Sequence, residues 1–195
     1  MSLNPFVRRG PEPHMLSVSM TGVKLGDRVV FVGVPDAARV AAIAAKVGLS
    51  GRAVAVVSDD LAVARVDKAA ANAGVLVDTE RGDTTRLPFA EGEFDIAVFD
   101  DTAGLLEQLN DDDRATAARE IVRVLRPGGR LLLIGGGEPI GLAKLIAKEP
   151  VSPLVASGRV NALLEHCGFG IVRTLAEREG LVFVEGLKPR TPVTR

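Results

Sequence analysis

Four short clusters in this chain combine chemically capable residues with positions where a loop would expose them. They are Gly33-Val34-Pro35-Asp36-Ala37, Ser58-Asp59-Asp60, Asp83-Thr84-Thr85 and Phe99-Asp100-Asp101. A glycine lets backbone approach a ligand with no Cβ in the way. A carboxylate at a strand end accepts charge-assisted hydrogen bonds from hydroxyl or amino groups. Asp100 and Asp101 can orient an acceptor or act as a base, and a solvated acid pair fits the spacing equally well. If desolvated, two adjacent carboxylates raise one another's pKa. Asp36, Asp59 and Asp60 also have the types and places of helix N-caps. No nucleophile and base pair up anywhere, so no catalytic base is named. With one cysteine, Cys167, and two histidines, His14 and His166, no metal site is expected. Cys167 falls on an apolar helix face and reads as core; His14 sits among prolines.

The elements that must hold these clusters alternate. Val29 to Val32 reads as a doubly buried strand ending at Gly33. Asp36 then caps a helix with Val40, Ile43, Ala44 and Val47 on one face, closed by Gly48. Ala53–Val57 is a second strand, followed by a helix capped at Asp59 or Asp60 and stopped by Gly74. Val75-Leu76-Val77 begins a third strand, and Phe94–Phe99 forms a fourth. Asp111, Asp112 and Asp113 cap a helix that stops at Pro127-Gly128-Gly129, read as a turn that no strand crosses. Leu131–Ile134 is a fifth strand. A short helix is expected over Ile140–Lys148, and another, capped by Ser157, carries Val160, Leu163, Leu164 and Cys167. Gly170–Leu175 and Leu181–Leu187 read as an antiparallel hairpin at the sheet edge. Strands joined by helical crossovers predict a three-layer α/β protein with a doubly wound, mostly parallel sheet. Such sheets bind ligands beyond the carboxyl ends of their strands, where the order reverses. All four clusters lie at those ends.

Composition narrows the partners. At 195 residues, 47% hydrophobic and 25% charged, the chain is an ordinary one-domain globular sequence. Lys plus Arg number 24 and Asp plus Glu 25, a net charge of −1 without the basic footprint of a nucleic-acid binder. There is no Trp or Tyr to stack on bases. No apolar run reaches the roughly 20 residues that span a bilayer, and no signal-peptide core is present. The expectation is therefore a soluble, cytoplasmic protein with a small-molecule partner, no nucleic acid and no membrane. A homodimer is left open.

The second half of the chain resembles a known family. Gly82-Asp83, Leu87-Pro88-Phe89, Glu93-Phe94-Asp95, Arg123-Val124-Leu125-Arg126-Pro127-Gly128-Gly129-Arg130, Gly168-Phe169 and Gly186-Leu187-Lys188-Pro189 stand in the order and spacing of the class I S-adenosylmethionine-dependent methyltransferases, small-molecule type. The resemblance covers about residues 15–188 and implies a Rossmann-like, seven-stranded sheet with an antiparallel last strand. It implies S-adenosylmethionine as cofactor, with Gly33, Ser58, Asp59, Asp83, Thr84 and Asp100 on its binding side. Asp83 would lie near the adenine amino group and the Thr84 amide near the ring. The glycine-rich turn departs from the family pattern: Phe31 stands where an acid is usual, and Pro35 and Ala37 replace two glycines. Ser58 stands where the ribose-binding acid is usual, with Asp59 one residue later. The resemblance divides the chain into an N-terminal arm or substrate cap (1–22, with Phe6, Arg8, Arg9, Met15 and Met20), a methyltransferase-like domain (23–188) and a flexible tail (189–195). The stretch Glu138–Ser157 leaves room only for a small lid. Two functions follow: methyl transfer to a small molecule, or a methyltransferase-like scaffold that has lost its cofactor. A nicotinamide-dependent oxidoreductase is a third, weaker reading.

Overall fold

A computed structural model of the chain describes residues 14–137 and 151–190. Phe6, Arg8, Arg9, the helix expected over 140–148 and the end of the tail lie outside the described residues. The elements run α1 (Met15–Thr21), β1 (Arg28–Val32), α2 (Ala37–Val47), β2 (Arg52–Val57), α3 (Asp60–Ala73), β3 (Asp78–Arg81), β4 (Phe94–Asp101), α4 (Leu105–Gln108), α5 (Asp111–Val124), β5 (Leu125–Gly136), α6 (Pro153–Ala156), α7 (Arg159–His166), β6 (Ile171–Arg178) and β7 (Leu181–Leu187). They build one seven-stranded sheet in the order β3-β2-β1-β4-β5-β7-β6. β7 alone runs antiparallel to its neighbours β5 and β6, as expected.

Strand alternation assigns the two faces. Val30, Val32, Val54, Phe99 and Leu131 point to one side, under α5 and α7. Val29, Phe31, Ala55, Val98 and Leu132 point to the other, under α2 and α3. Buried strands covered on both faces explain the continuous apolar runs in the sequence. α1 packs Leu16, Val18 and Met20 against the α2 side, while Met15 remains exposed. The Met20 carbonyl accepts a 2.9 Å hydrogen bond from Arg130 on β5.

Caps fall largely where side-chain chemistry put them. Asp36 Oδ1 accepts from the amides of Ala38 (3.0 Å) and Arg39 (3.2 Å). Asp59 Oδ1 accepts from Ala62 N at 2.8 Å, which makes Asp59 the cap and Asp60 the first helical residue.

Four local expectations are corrected. Val75–Val77 is not strand: Gly74 and Val75 still bond back to the end of α3, so β3 starts at Asp78. Pro127-Gly128-Gly129 does not interrupt β5, which runs through it on an irregular register, Phe94 opposite Leu125 and Ile96 opposite Arg130. A bulged strand tolerates proline because the displaced residues need no ladder N–H. Asn110, not the acids after it, caps α5. Gly158, not Ser157, opens α7; Ser157 instead ends α6. Among the described residues no helix is long and apolar enough to cross a membrane.

Candidate functional site

The strand order reverses between β1 and β4, and a cavity of about 330 Å³ opens there, at the carboxyl ends of β1, β2 and β4. Its walls include Gly33 and Pro35 after β1, Ser58 after β2, Asp83 and Thr84 after β3, and Asp100 on β4. Five of the six residues read from the sequence are therefore brought to one hollow. The sixth, Asp59, lies beside it but does not line it.

Gly33 sits at φ +73°, a left-handed conformation that L side chains seldom adopt. A Cβ built there would lie 2.5 Å from the Asp100 carbonyl oxygen. Bare backbone at this point is what lets the tips of β1 and β4 close to within contact while the cavity stays open above them. Pro35 forms wall and leaves the cavity open; Asp36 behind it is the α2 cap.

Beneath the wall runs a buried ion pair that sequence reading missed. Arg39, the third residue of α2 and 3% exposed, donates from Nη1 to Asp100 Oδ2 at 2.5 Å. Asp100, 5% exposed, also accepts on Oδ1 from the Thr102 amide (3.1 Å) and hydroxyl (2.7 Å). Asp36 Oδ2 stands 3.8 Å from Arg39 Nη2 and 3.5 Å from His14 Nε2. Of the two readings of Asp100 and Asp101, the solvated pair is the one excluded. Strand alternation sends the two side chains to opposite faces, and each is buried.

The other walls differ in charge. Asp83 accepts from the Thr85 hydroxyl (2.6 Å) and amide (2.7 Å), and these bonds hold its carboxyl below the usual range. It therefore presents a fixed anion. Asp59 is held low by its bonds from the Ala62 amide and the Ser58 hydroxyl. Arg65, from the second turn of α3, lines the cavity on the β2 side. No local sequence signal marks it, because an exposed arginine on a helix is ordinary.

Asp101 has no exposed surface. Its Oδ1 accepts from Leu106 N at 2.7 Å, its Oδ2 makes no hydrogen bond, and the neighbouring Ser152 hydroxyl offsets part of the cost of burial. Burial pushes its pKa up to about 6, with smaller upward contributions from Glu107 and Asp100. The expected mutual effect of the two acids is therefore present but minor beside desolvation. Because the folded state holds this proton to higher pH than the unfolded chain, ionising Asp101 destabilises the fold as pH rises from about 4 to about 6, and the penalty is complete above that. Relative to the wild type, Asp101→Asn should gain on the order of 3 kcal/mol between pH 4 and pH 7.5 in urea unfolding. A difference that does not change with pH would refute this account of Asp101.

Among the described residues no cluster of His, Cys, Asp and Glu could hold a metal ion. Cys167 is buried, its thiol pushed up by desolvation, and its Sγ lies 3.5 Å from the Ala115 carbonyl.

Comparison with known proteins places this geometry. Residues 32–133 match the family profile described as a methyltransferase domain. Over 92 residues the chain is 35% identical to the O-methyltransferase rstn1 of Aspergillus nomiae, which covers 44% of this chain. The chain spans only 39% of that relative's length. The fold is similar to a SAM-dependent methyltransferase from Aquifex aeolicus (TM-score 0.72, 18% identity, covering 90% of this chain and 89% of that one). It is also similar to the [4+2]-cyclase SpnF (TM-score 0.67, 18% identity, covering 90% and 79%). At such identities the likeness is one of fold, and SpnF illustrates that the fold carries more than one chemistry.

Proposed function

The chain belongs to the methyltransferase domain family, and from that premise we propose that its cavity binds S-adenosylmethionine and directs methyl transfer to a small-molecule acceptor. The observation that supports this most is the open hollow at the switch point, within the volume range of small-molecule sites despite Pro35 and Ala37. The lining suits the cofactor: a glycine cradle that a Cβ would fill, a fixed carboxylate at Asp83 with the Thr84 backbone beside it, and apolar Leu105 and Leu109 opposite.

The cofactor supplies an electrophilic methyl group on a sulfonium, so no protein nucleophile is needed. The chain's own task is placement and exclusion of water, and alignment of this kind is worth about 7–11 kcal/mol of barrier. Gly33 and Pro35 form the floor near the β1 tip. Asp83 offers carboxylate oxygens toward an amino or hydroxyl donor. Asp100 presents a wall whose charge is already answered by Arg39, so a cationic ligand meets an oriented carboxylate and not a free one. Asp101 points to the other face of the sheet and has no part in this.

The test is transfer of labelled methyl from S-adenosylmethionine to a panel of small phenols, carboxylic acids and amines, with protein and nucleic acid as controls. Label on a small acceptor is the expected result; label on macromolecules alone contradicts the small-molecule reading. Phe31, Pro35 and Ala37 favour a second reading, a scaffold without cofactor. It predicts no binding by the wild type and binding restored in the Pro35→Gly, Ala37→Gly double variant.

A further inference from the structure

The short helix α4 is at once a wall of the cavity and the neighbour of a buried acid. Leu105, Gln108 and, just beyond it, Leu109 line the hollow, and Leu105 Cδ2 lies 3.6 Å from where a Gly33 Cβ would stand. Gly104 opens α4 without a side-chain cap. Asp101 supplies one from β4: its carbonyl accepts from Gly104 N at 2.8 Å and its Oδ1 from Leu106 N at 2.7 Å. The same residue is tied to α6 and to the end of β5. Ser152 Oγ donates to the Asp101 carbonyl at 2.8 Å and accepts from Gly136 N at 2.9 Å. Across the seam between α4 and α6, Glu107 Oε1 accepts from Leu154 N at 2.8 Å. Asp101 Oδ2 is buried at this junction without a hydrogen bond. Ionisation would leave that oxygen charged and without a donor, the costlier of the two states in a dry site. Burial accordingly raises the Asp101 pKa to about 6. Water reaches the carboxylate when α4 and α6 part, and α4 cannot move without moving the cavity wall.

We propose that Asp101 gates the cavity wall through α4: the neutral acid lets α4 close on α6, and the carboxylate parts the two, admits water and weakens ligand binding. Asp101 touches no ligand; it is a positioning residue, and its effect on affinity rests on the reading of the cavity as a cofactor site. The charged groups around it are Asp100 on β4, Glu107 on α4 and Arg114 on α5, whose Nη2 stands 3.8 Å from Glu107 Oε2. The end of β5 (Leu133 to Gly136) and α6 (Pro153–Ala156) bring none. The experiment follows wild type, Asp101→Asn and Glu107→Gln from about pH 5 to about pH 7.5. Hydrogen exchange at the Leu154 amide, corrected for its intrinsic rate, reads the seam, and titration with S-adenosylhomocysteine reads the site. In wild type, protection should fall and the dissociation constant rise together, each by roughly fivefold or more. Asp101→Asn keeps an acceptor for Leu106 N and never ionises, so both should stay flat at the acid-side values. A merely structural acid would give no such rescue. Glu107→Gln should keep the pH dependence, which separates Asp101 from its titratable neighbour. Protection or affinity that ignores pH in the wild type overturns the inference and, where S-adenosylhomocysteine binds, leaves methyl transfer standing. A dependence that survives Asp101→Asn, or one that disappears in Glu107→Gln, overturns it equally. Protection that falls with pH except in Asp101→Asn, with no S-adenosylhomocysteine bound at any pH, upholds the gate and overturns the cofactor reading.

Discussion

Gly33→Ala should lower stability by about 2–4 kcal/mol and weaken S-adenosylhomocysteine binding by roughly tenfold or more. The first part comes from conformation and contact together. At φ +73° an alanine is strained by about 1–2 kcal/mol. Its Cβ would also sit 2.5 Å from the Asp100 carbonyl, far inside contact distance. The second part follows because relief requires movement of either the turn after β1 or the tip of β4, and both are cavity walls. Urea unfolding and calorimetry on the same variant read the two effects. A variant that unfolds and binds like the wild type would show that the close approach of the two strands is not what shapes the site.

Arg39→Met should cost about 3–5 kcal/mol at neutral pH, since it leaves Asp100 buried without its countercharge. The two side chains are 4% and 6% exposed, so little water reaches the pair to replace the missing partner. Coupling is the sharper readout. In the Arg39→Met, Asp100→Asn double variant neither charge remains, and the loss should be smaller than that of Arg39→Met alone. Strictly additive losses would mean that the 2.5 Å contact carries no special weight. Binding should suffer in both single variants because Asp100 faces the cavity on its other side.

Much of the fold was legible because burial and capping leave local marks. The runs Val29–Val32 and Leu131–Ile134 are apolar at every position, as only doubly covered strands are, and Asp36, Gly48, Asp59 and Gly74 bound their helices by side-chain and backbone chemistry alone. Pro127-Gly128-Gly129 misled because its local signal is that of a turn. What carries β5 through it is pairing with a strand some thirty residues earlier in the chain. The site divided the same way. That Gly33, Ser58, Asp83, Thr84 and Asp100 share one hollow was legible because strand ends at a switch point are predictable from topology. Arg39 was missed because its partner stands 61 residues away, and a charged residue in a first helical turn ordinarily faces water. The roles of Asp100 and Asp101 were left open, solvated or not, because nothing in an Asp-Asp pair announces that β4 runs on through it and buries both acids. Arg65 has no local mark at all; only the packing of α3 over the β2 end brings it to the hollow.

The account stands on a cavity at the β1–β4 switch that accepts an adenosyl group over the Gly33 turn. Isothermal titration of the wild-type protein with S-adenosylhomocysteine measures that directly. Saturable binding at one site per chain, weakened roughly tenfold or more in Gly33→Ala, is the predicted result. At ligand concentrations one hundred times the dissociation constant it should raise stability by about 2.7 kcal/mol. No heat and no stabilisation at millimolar ligand, in a protein that is folded by circular dichroism, would contradict it.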